Sequence, residues 1–509
     1  MPDASFFGQK LQDAVAAGTV PMSRIDDMVT RMLTVMFALN LFDTAADPSQ
    51  RNTSSYARSP EHDALALRLA KESITLLQNK GGLLPIVPAS LKTVAVFGDE
   101  GTVHGGGSGQ VVAPYVVAPV DGINAWLNPG MPPPTCTQES DIDYFQVNSP
   151  SAGGTGPADC CAQCGKNPSC KAWTYFSGVC YFKPDASGRQ TKAGAVSGNC
   201  TSAAGAVAVS YYGTQDPAAA VAAAKGADLV VMVVATDSSE GSDRKTLAFP
   251  GWMDEMVFNL SAANPNTVVV ARCPGACTMP WKDTAPAILF ELLGGQESGN
   301  SIASTLFGEN NPSGKLPVTF PNPAPAGQQW PTETWLSPPG GGTVDPTMWP
   351  GTDRGNGFPE ADYKESLLMG YRWYDAQNIA PAFPFGHGLS YSSFTYSGLA
   401  VSGTVTPSAG ATVYATVCNT AGPAGKEVAQ LYIGYPAAAN APPKQLKGFQ
   451  KVGLGAGDCG GVGFPITAKD LWVWDVVQQE WTLIAGTYTV WVGSSSRDIR
   501  LTGQLSVTA

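Results

Sequence analysis

The sequence predicts a multidomain chain of α/β plus all-β type: an α/β sandwich with a mostly parallel sheet, a small disulfide-rich insert and a C-terminal β-sandwich. Three observations predict it. Apolar runs such as Leu229–Ala235, continuous rather than alternating, read as strands buried on both faces, and they alternate with helical segments as in a parallel sheet. Seven of the eleven cysteines fall between Cys136 and Cys200 and interrupt that rhythm. Beyond Phe394, β-type segments separated by Gly-, Pro- and Asn-rich turns replace it. A chain of 509 residues exceeds one hydrophobic core and predicts about three or four domains.

Residues 1–47 read as two helices with nothing before them to pack on. The second carries Ile25, Met28, Val29, Met32, Leu33, Met36 and Leu39 at helical spacing, and Ser23-x-x-Asp26 reads as its capping box. After a polar linker, Ser59-Pro60-Glu61 caps a helix whose Leu67, Ala70, Ile74 and Leu77 form one stripe, ended by Asn79-Lys80-Gly81-Gly82. Residues 93–98 read as a strand leading into the glycine run His104-Gly-Gly-Gly-Ser108-Gly. No Gly-x-x-x-x-Gly-Lys-Ser/Thr is present, so this run reads as backbone brought close to a polar ligand, or equally as a plain flexible turn, rather than a phosphate cradle.

The segment 136–201 reads as a disulfide-stapled insert within an α/β domain of residues 48–327. A helix at 216–225, the strand Leu229–Ala235, a helix at 252–264, strands at 267–271 and 287–290 and a helix at 299–306 complete that domain. Residues 328–392 form a connecting segment, whose Pro-, Gly- and Trp-rich part to 358 reads as a long ordered loop, with a disordered tether as the rival reading. In the final domain, 393–509, strands are expected at 412–417, 428–435, 461–466, 471–475 and 486–493. Cys418 and Cys459 could staple it.

A net charge of -11 without clustered Lys and Arg argues against a nucleic-acid partner, and no stretch approaches the ~20 apolar residues of a membrane span. The cysteine density and the Asn-X-Ser/Thr acceptors at Asn52, Asn199 and Asn259 point to an extracellular, secreted protein. A zinc site on Cys161-x-x-Cys164 competes with that reading, but the cluster holds no histidine. With His62, His104 and His387 scattered, no catalytic metal is expected, and no cofactor. A Ser-His-Asp hydrolase would want Gly-x-Ser-x-Gly after a strand, which Gly106-Gly-Ser-Gly-Gln110 misses.

The candidate site is the acidic loop that follows Leu229–Ala235, because ligands of open α/β sheets bind outside the carboxyl ends of the strands. Glu240 leads it. Asp237, Asp243, Arg244, His104, Gly106 and Ser108 are the accompanying substrate-loop candidates, with Asp243 and Arg244 read as an ion pair that fixes the loop.

Several motifs resemble glycoside hydrolase family 3, the β-glucosidases and β-xylosidases. They are Ser239-Glu240-Gly-Ser-Asp-Arg244 with Leu247-x-x-Pro250-Gly, Met279-Pro-Trp281, Gly295-Gln-Glu-Ser-Gly-Asn300, and the block Leu306 to Pro321. Tyr363-Lys-Glu, Gly370-Tyr-Arg-Trp-Tyr374 and Phe383 to Tyr391 continue the match, and Leu446-Lys-Gly-Phe449 falls in a fibronectin-III-like C-terminal domain. The cysteine spacing of the insert resembles PAN/Apple binding modules, for which a glycan or protein ligand is implied.

The resemblance implies a retaining glycosidase acting on a β-glucoside or oligosaccharide, with Glu240 as general acid/base. Such an enzyme needs a second carboxylate ~5 to 5.5 Å away as nucleophile. The family's nucleophilic aspartate stands in a Ser-Asp-Trp context on an N-terminal barrel, and Ser-Asp-Trp does not occur in this sequence. Residues 1–47 resemble only the closing helices of that barrel. The expectation is therefore a chain with little activity of its own. A non-catalytic binding protein working through its insert, and a β-xylosidase, are the competing readings.

Overall fold

The strand Leu229–Ala235 lies inside a six-stranded sheet ordered Thr75–Asn79, Ala287–Glu291, Thr267–Arg272, Leu229–Ala235, Thr93–Gly98, Ala208–Tyr212. The last five are parallel to one another, and Thr75–Asn79 runs antiparallel at one edge. The computed structural model describes every residue except 1–6, 44–57, 100, 102–105, 108–110, 112, 114, 131–134, 147–150, 154–155, 166–169, 184, 202–206, 214, 241–243, 245, 323–351, 356, 358 and 509. Asn52 and most of the 328–358 loop thus lie outside the described residues.

The unbroken apolar run is explained by cover on both faces. Leu229, Val231 and Val233 pack with Val120 and Ile123 of helix Pro119–Leu127 and with Ile302 and Leu306 of helix Ser298–Leu306. Val230, Met232 and Val234 pack with Ala220 and Ala224 of helix Pro217–Lys225 and with Met253, Val257 and Leu260 of helix Gly251–Ala263. Each fully buried aliphatic side chain contributes roughly 1.5–3 kcal/mol, so this strand anchors whatever its carboxyl end carries. Gly299 has a steric reason: a Cβ there would lie 2.1 Å from the Ala118 carbonyl oxygen, where its helix meets Pro119–Leu127. The 216–225 helix begins as the sequence predicts, with Asp216 accepting from the Ala218 amide at 3.0 Å.

Three expectations are corrected. The helix Pro60–Ser73 stops at Ser73, and Ile74 and Leu77 belong instead to the edge strand and its entry. Thr75 to Asn79 pair with Phe290 to Ala287, and that ladder outweighs the helical spacing read from Leu67 to Leu77. The capping box at Ser23 is absent, because the helix Met22–Ala38 starts one residue before Ser23, with Pro21 at the N-cap and no side-chain cap bond. The expected strand 471–475 divides into a helical turn Ala468–Leu471, capped by Thr467 and Asp470, and a short strand Val473–Asp475. The elements Pro119–Leu127 and Ala208–Tyr212 carry no signal strong enough to be read beforehand.

Residues Met1–His62 form one compact unit and Asp63–Ala509 another. Within the first, Gln9–Ala16 and Met22–Ala38 bury none of their residues, and Met32, Val35, Phe37, Leu39 and Phe42 are exposed.

Within the second unit, the insert is built on Arg189–Thr201, which pairs with Thr135–Cys136, Glu139–Tyr144 and Ala172–Phe176. The chain ends in a sandwich of a three-stranded sheet (Ser393–Ser402, Ala411–Ala421, Cys459–Ile466) and a four-stranded sheet (Gln445–Leu454, Gly425–Gly434, Gly486–Gly493, Ile499–Val507). Cys418 and Cys459 face each other across the first sheet and form a disulfide. Glu72 accepts from Lys426 at 2.6 Å and Lys451 at 3.0 Å, which hold its carboxyl down at about 2. These two partly exposed pairs are screened and contribute little beyond alignment.

Candidate functional site

The site is assembled at the carboxyl end of Leu229–Ala235, where the chain leaves the buried sheet and turns polar within a few residues. Ser239 forms a parallel bridge with Gly106 of the glycine run. The Gly106 amide donates to the Ser238 carbonyl at 3.0 Å, and the Glu240 amide donates to the Gly106 carbonyl at 3.3 Å. Two segments about 130 residues apart in sequence are joined at Glu240 through their backbones. The glycine run therefore brings its backbone against the acidic loop itself.

Only glycine fits there. Gly107 has φ +75°, and a Cβ at that position would lie 2.4 Å from the Glu240 Cβ. Gly106 would similarly meet the Ser239 Oγ at 2.6 Å. Gly107→Ala is expected to destabilise the chain by about 1–2 kcal/mol through the left-handed backbone, and to push the Glu240 loop outward. A lowered urea midpoint together with faster proteolysis between 237 and 244 checks it; an unchanged midpoint would show that the close approach is not maintained in solution.

Glu240 and Asp237 are both exposed. Arg244 is half-buried and donates from Nη2 to the Ala276 carbonyl at 2.9 Å, tying the loop to the segment after Thr267–Arg272. His104, Ser108 and Asp243 lie outside the described residues.

Beneath the loops lies a buried charge cluster that sequence reasoning did not single out. Arg272 is fully buried, with Nη1 3.2 Å from Asp99 Oδ1 and Nη2 donating to the Gly101 carbonyl at 2.8 Å. Its Nε is 3.4 Å from Oε2 of the equally buried Glu291, an ion pair without a hydrogen bond. Glu291 also accepts from Ser298 at 2.5 Å and Ser301 at 3.2 Å. Arg272 and Glu291 are paired residues at the ends of adjacent parallel strands. Through Asp99 and Gly101, Arg272 anchors the start of the segment that reaches Gly106.

A second support lies under the other end of the loop. Trp281 is fully buried and donates from Nε1 to Asp254 Oδ1 at 2.7 Å. Burial pushes the Asp254 carboxyl up to about 6, against the opposing effect of that hydrogen bond. His387, in its Gly-His-Gly context, makes the expected turn: its amide donates to Pro384, and its ring sits 2.9 Å from the Leu77 carbonyl. Burial holds its pKa down.

The sequence matches two family models: the glycosyl hydrolase family 3 C-terminal domain over residues 74–391, more than half of the chain, and a fibronectin type III-like domain over residues 427–496. It is 31% identical to a probable beta-glucosidase L of Aspergillus terreus, over 99% of this chain and 62% of that protein. A probable beta-glucosidase M of Aspergillus niger is 29% identical, over 100% and 60% respectively. The chain thus spans 60 to 62% of the length of these curated relatives. Among solved structures it resembles the beta-D-glucoside glucohydrolase of Trichoderma reesei, with TM-score 0.67, 28% identity, and 99% of this chain aligned to 63% of that one. It also resembles a beta-glucosidase of Streptomyces venezuelae in complex with D-glucose, with TM-score 0.68 and 27% identity over 100% and 67%.

Proposed function

The chain belongs to glycosyl hydrolase family 3, and on that premise we propose that it supplies the acid/base half of a retaining β-glucosidase, with Glu240 as the proton donor. The observation that carries this reading is the loop itself. A carboxylate is presented at the mouth of a buried sheet, held by the Gly106 backbone below and the Arg244–Ala276 bond to one side. Double displacement requires a proton for the departing oxygen and then removal of a proton from water, which one carboxyl group does in turn. It also requires a nucleophilic carboxylate, which we assign to a domain outside this sequence. A catalytic acid must keep its proton near the working pH. Glu240 is exposed here, so we assign the desolvation that this needs to the same outside domain.

The test uses a chimera in which this chain follows the N-terminal part of the Trichoderma reesei relative that it does not cover. Wild-type chimera is expected to hydrolyse 4-nitrophenyl β-glucoside, and Glu240→Gln to lose about 10²–10⁴-fold in kcat/KM. The loss should be much smaller for a 2,4-dinitrophenyl leaving group, which departs without a proton. Equal losses for both leaving groups would remove Glu240 from the proton-donor role. Steady turnover by the unfused chain would show that the nucleophile lies within it.

We further propose a secreted, extracellular location, supported by the disulfides and by Asn199, an acceptor on an exposed strand position. The insert is proposed as a PAN/Apple-like module for a glycan or protein ligand.

A further inference from the structure

Three sulfurs of the insert meet apart from its two buried disulfides. Cys160 bonds Cys180 and Cys164 bonds Cys170, and all four are buried. The remaining Cys136, Cys161 and Cys200 are half-buried, with their sulfurs all within 4.8 Å of one another. Cys136 is within bonding reach of both others, at Cα separations of 5.9 Å from Cys161 and 4.2 Å from Cys200. A sulfur forms one S–S bond at a time. Whichever partner Cys136 takes, the third sulfur lies within 4.8 Å of the sulfurs so joined.

We infer that Cys136, Cys161 and Cys200 form a thiol–disulfide exchange site in which Cys136 passes between two partners and the released thiol is open to modification by small disulfide compounds. The exchange needs no oxidant. The Cys161 thiolate attacks Sγ of Cys136 in the Cys136–Cys200 bond, the new Cys136–Cys161 bond forms as the old one breaks, and the electron pair leaves on the Cys200 sulfur. That sulfur takes up the proton Cys161 gave up, so one disulfide and one thiol are present before and after. Reaction of the released thiolate with an external disulfide RS–SR then gives a mixed disulfide and RS⁻.

The two pairings tie different elements together. Cys136 and Cys200 are directly opposed on the antiparallel strands Thr135–Cys136 and Arg189–Thr201, at the root where the chain enters and leaves the insert. Their bond clasps that root. Cys161 lies on helix Pro157–Gly165, so its bond to Cys136 fastens the helix to the entry strand and releases the exit strand. The two free cysteines, Cys273 and Cys277, are fully buried in the α/β core. The inference does not depend on the glycosidase reading.

The test is a peptide map of the intact, unreduced chain, alkylated with iodoacetamide under native conditions, then acidified and digested. Two populations are expected, one with Cys136–Cys200 linked and Cys161 alkylated, the other with Cys136–Cys161 linked and Cys200 alkylated. Cys136 stays unlabelled in both. Oxidised glutathione added before alkylation should replace part of the label on Cys161 and Cys200 by a glutathione adduct. Cys161→Ser and Cys200→Ser should each collapse the map to one pairing, and if either variant fails to fold the wild-type map decides alone. A single fixed pairing in the wild type overturns the proposal, as does a Cys161–Cys200 link. Alkylation of all three sulfurs only after a chelator overturns it in favour of a thiolate-bound metal.

Discussion

Arg272→Met is expected to cost about 3–5 kcal/mol at neutral pH, because it leaves Glu291 buried without its cation. Arg272 and Glu291 are 0% and 1% exposed, so neither can turn to water when its partner is lost. Ser298 and Ser301 would still donate to the stranded carboxylate, and two hydroxyl donors do not offset a whole charge. Urea denaturation measures the loss. Arg272→Met with Glu291→Gln should recover a good part of it, since the uncompensated charge is then removed. A single variant that loses less than about 1 kcal/mol would mean that water reaches the cluster, since only exposed pairs are that weak. The variant should also loosen the segment from Asp99 to Gly107, as Arg272 holds both Asp99 and the Gly101 carbonyl.

Asp254→Asn is expected to stabilise the chain by about 2–3 kcal/mol at pH 7 and to leave it unchanged near pH 4. The folded-state carboxyl titrates at about 6 against an ordinary 3.8. Between those values the folded chain holds a proton that the unfolded chain has released, so stability falls as pH rises from about 4 to 6 and stays lowered above it. At about 1.4 kcal/mol per pKa unit, the shift accounts for the magnitude. The asparagine carbonyl can still accept from Trp281, so the variant removes the charge and keeps the bond. Melting temperatures of both proteins from pH 4 to 8 check this. Curves that run parallel throughout would show that Asp254 is not desolvated.

The position of the candidate loop was legible because its signals are local. A buried strand ending in Asp237 to Arg244 announces a loop at the mouth of a parallel sheet, and Glu240 can be picked out there without coordinates. The charge cluster was not legible in the same way. The strands read at 267–271 and 287–290 both stop one residue short of a charge, Arg272 and Glu291, and nothing local says that those two ends are neighbours. Two apolar strands that each end on an opposite charge are the signal that could have been used.

The sequence by itself determined which segments are buried on both faces, where the cysteine-rich insert interrupts the α/β rhythm, and that the last domain is a sandwich. These follow from composition and periodicity within each segment, because burial of apolar surface acts locally on the choice of residue. Only the tertiary structure decided that Ile74 and Leu77 belong with an edge strand rather than a helix, that Gly107 is glycine to admit Glu240, and that the sulfurs of Cys136, Cys161 and Cys200 meet. Each of those depends on what a distant segment brings into contact. An edge ladder, a Cβ clash and a third sulfur exist only once segments far apart in the chain have been folded together.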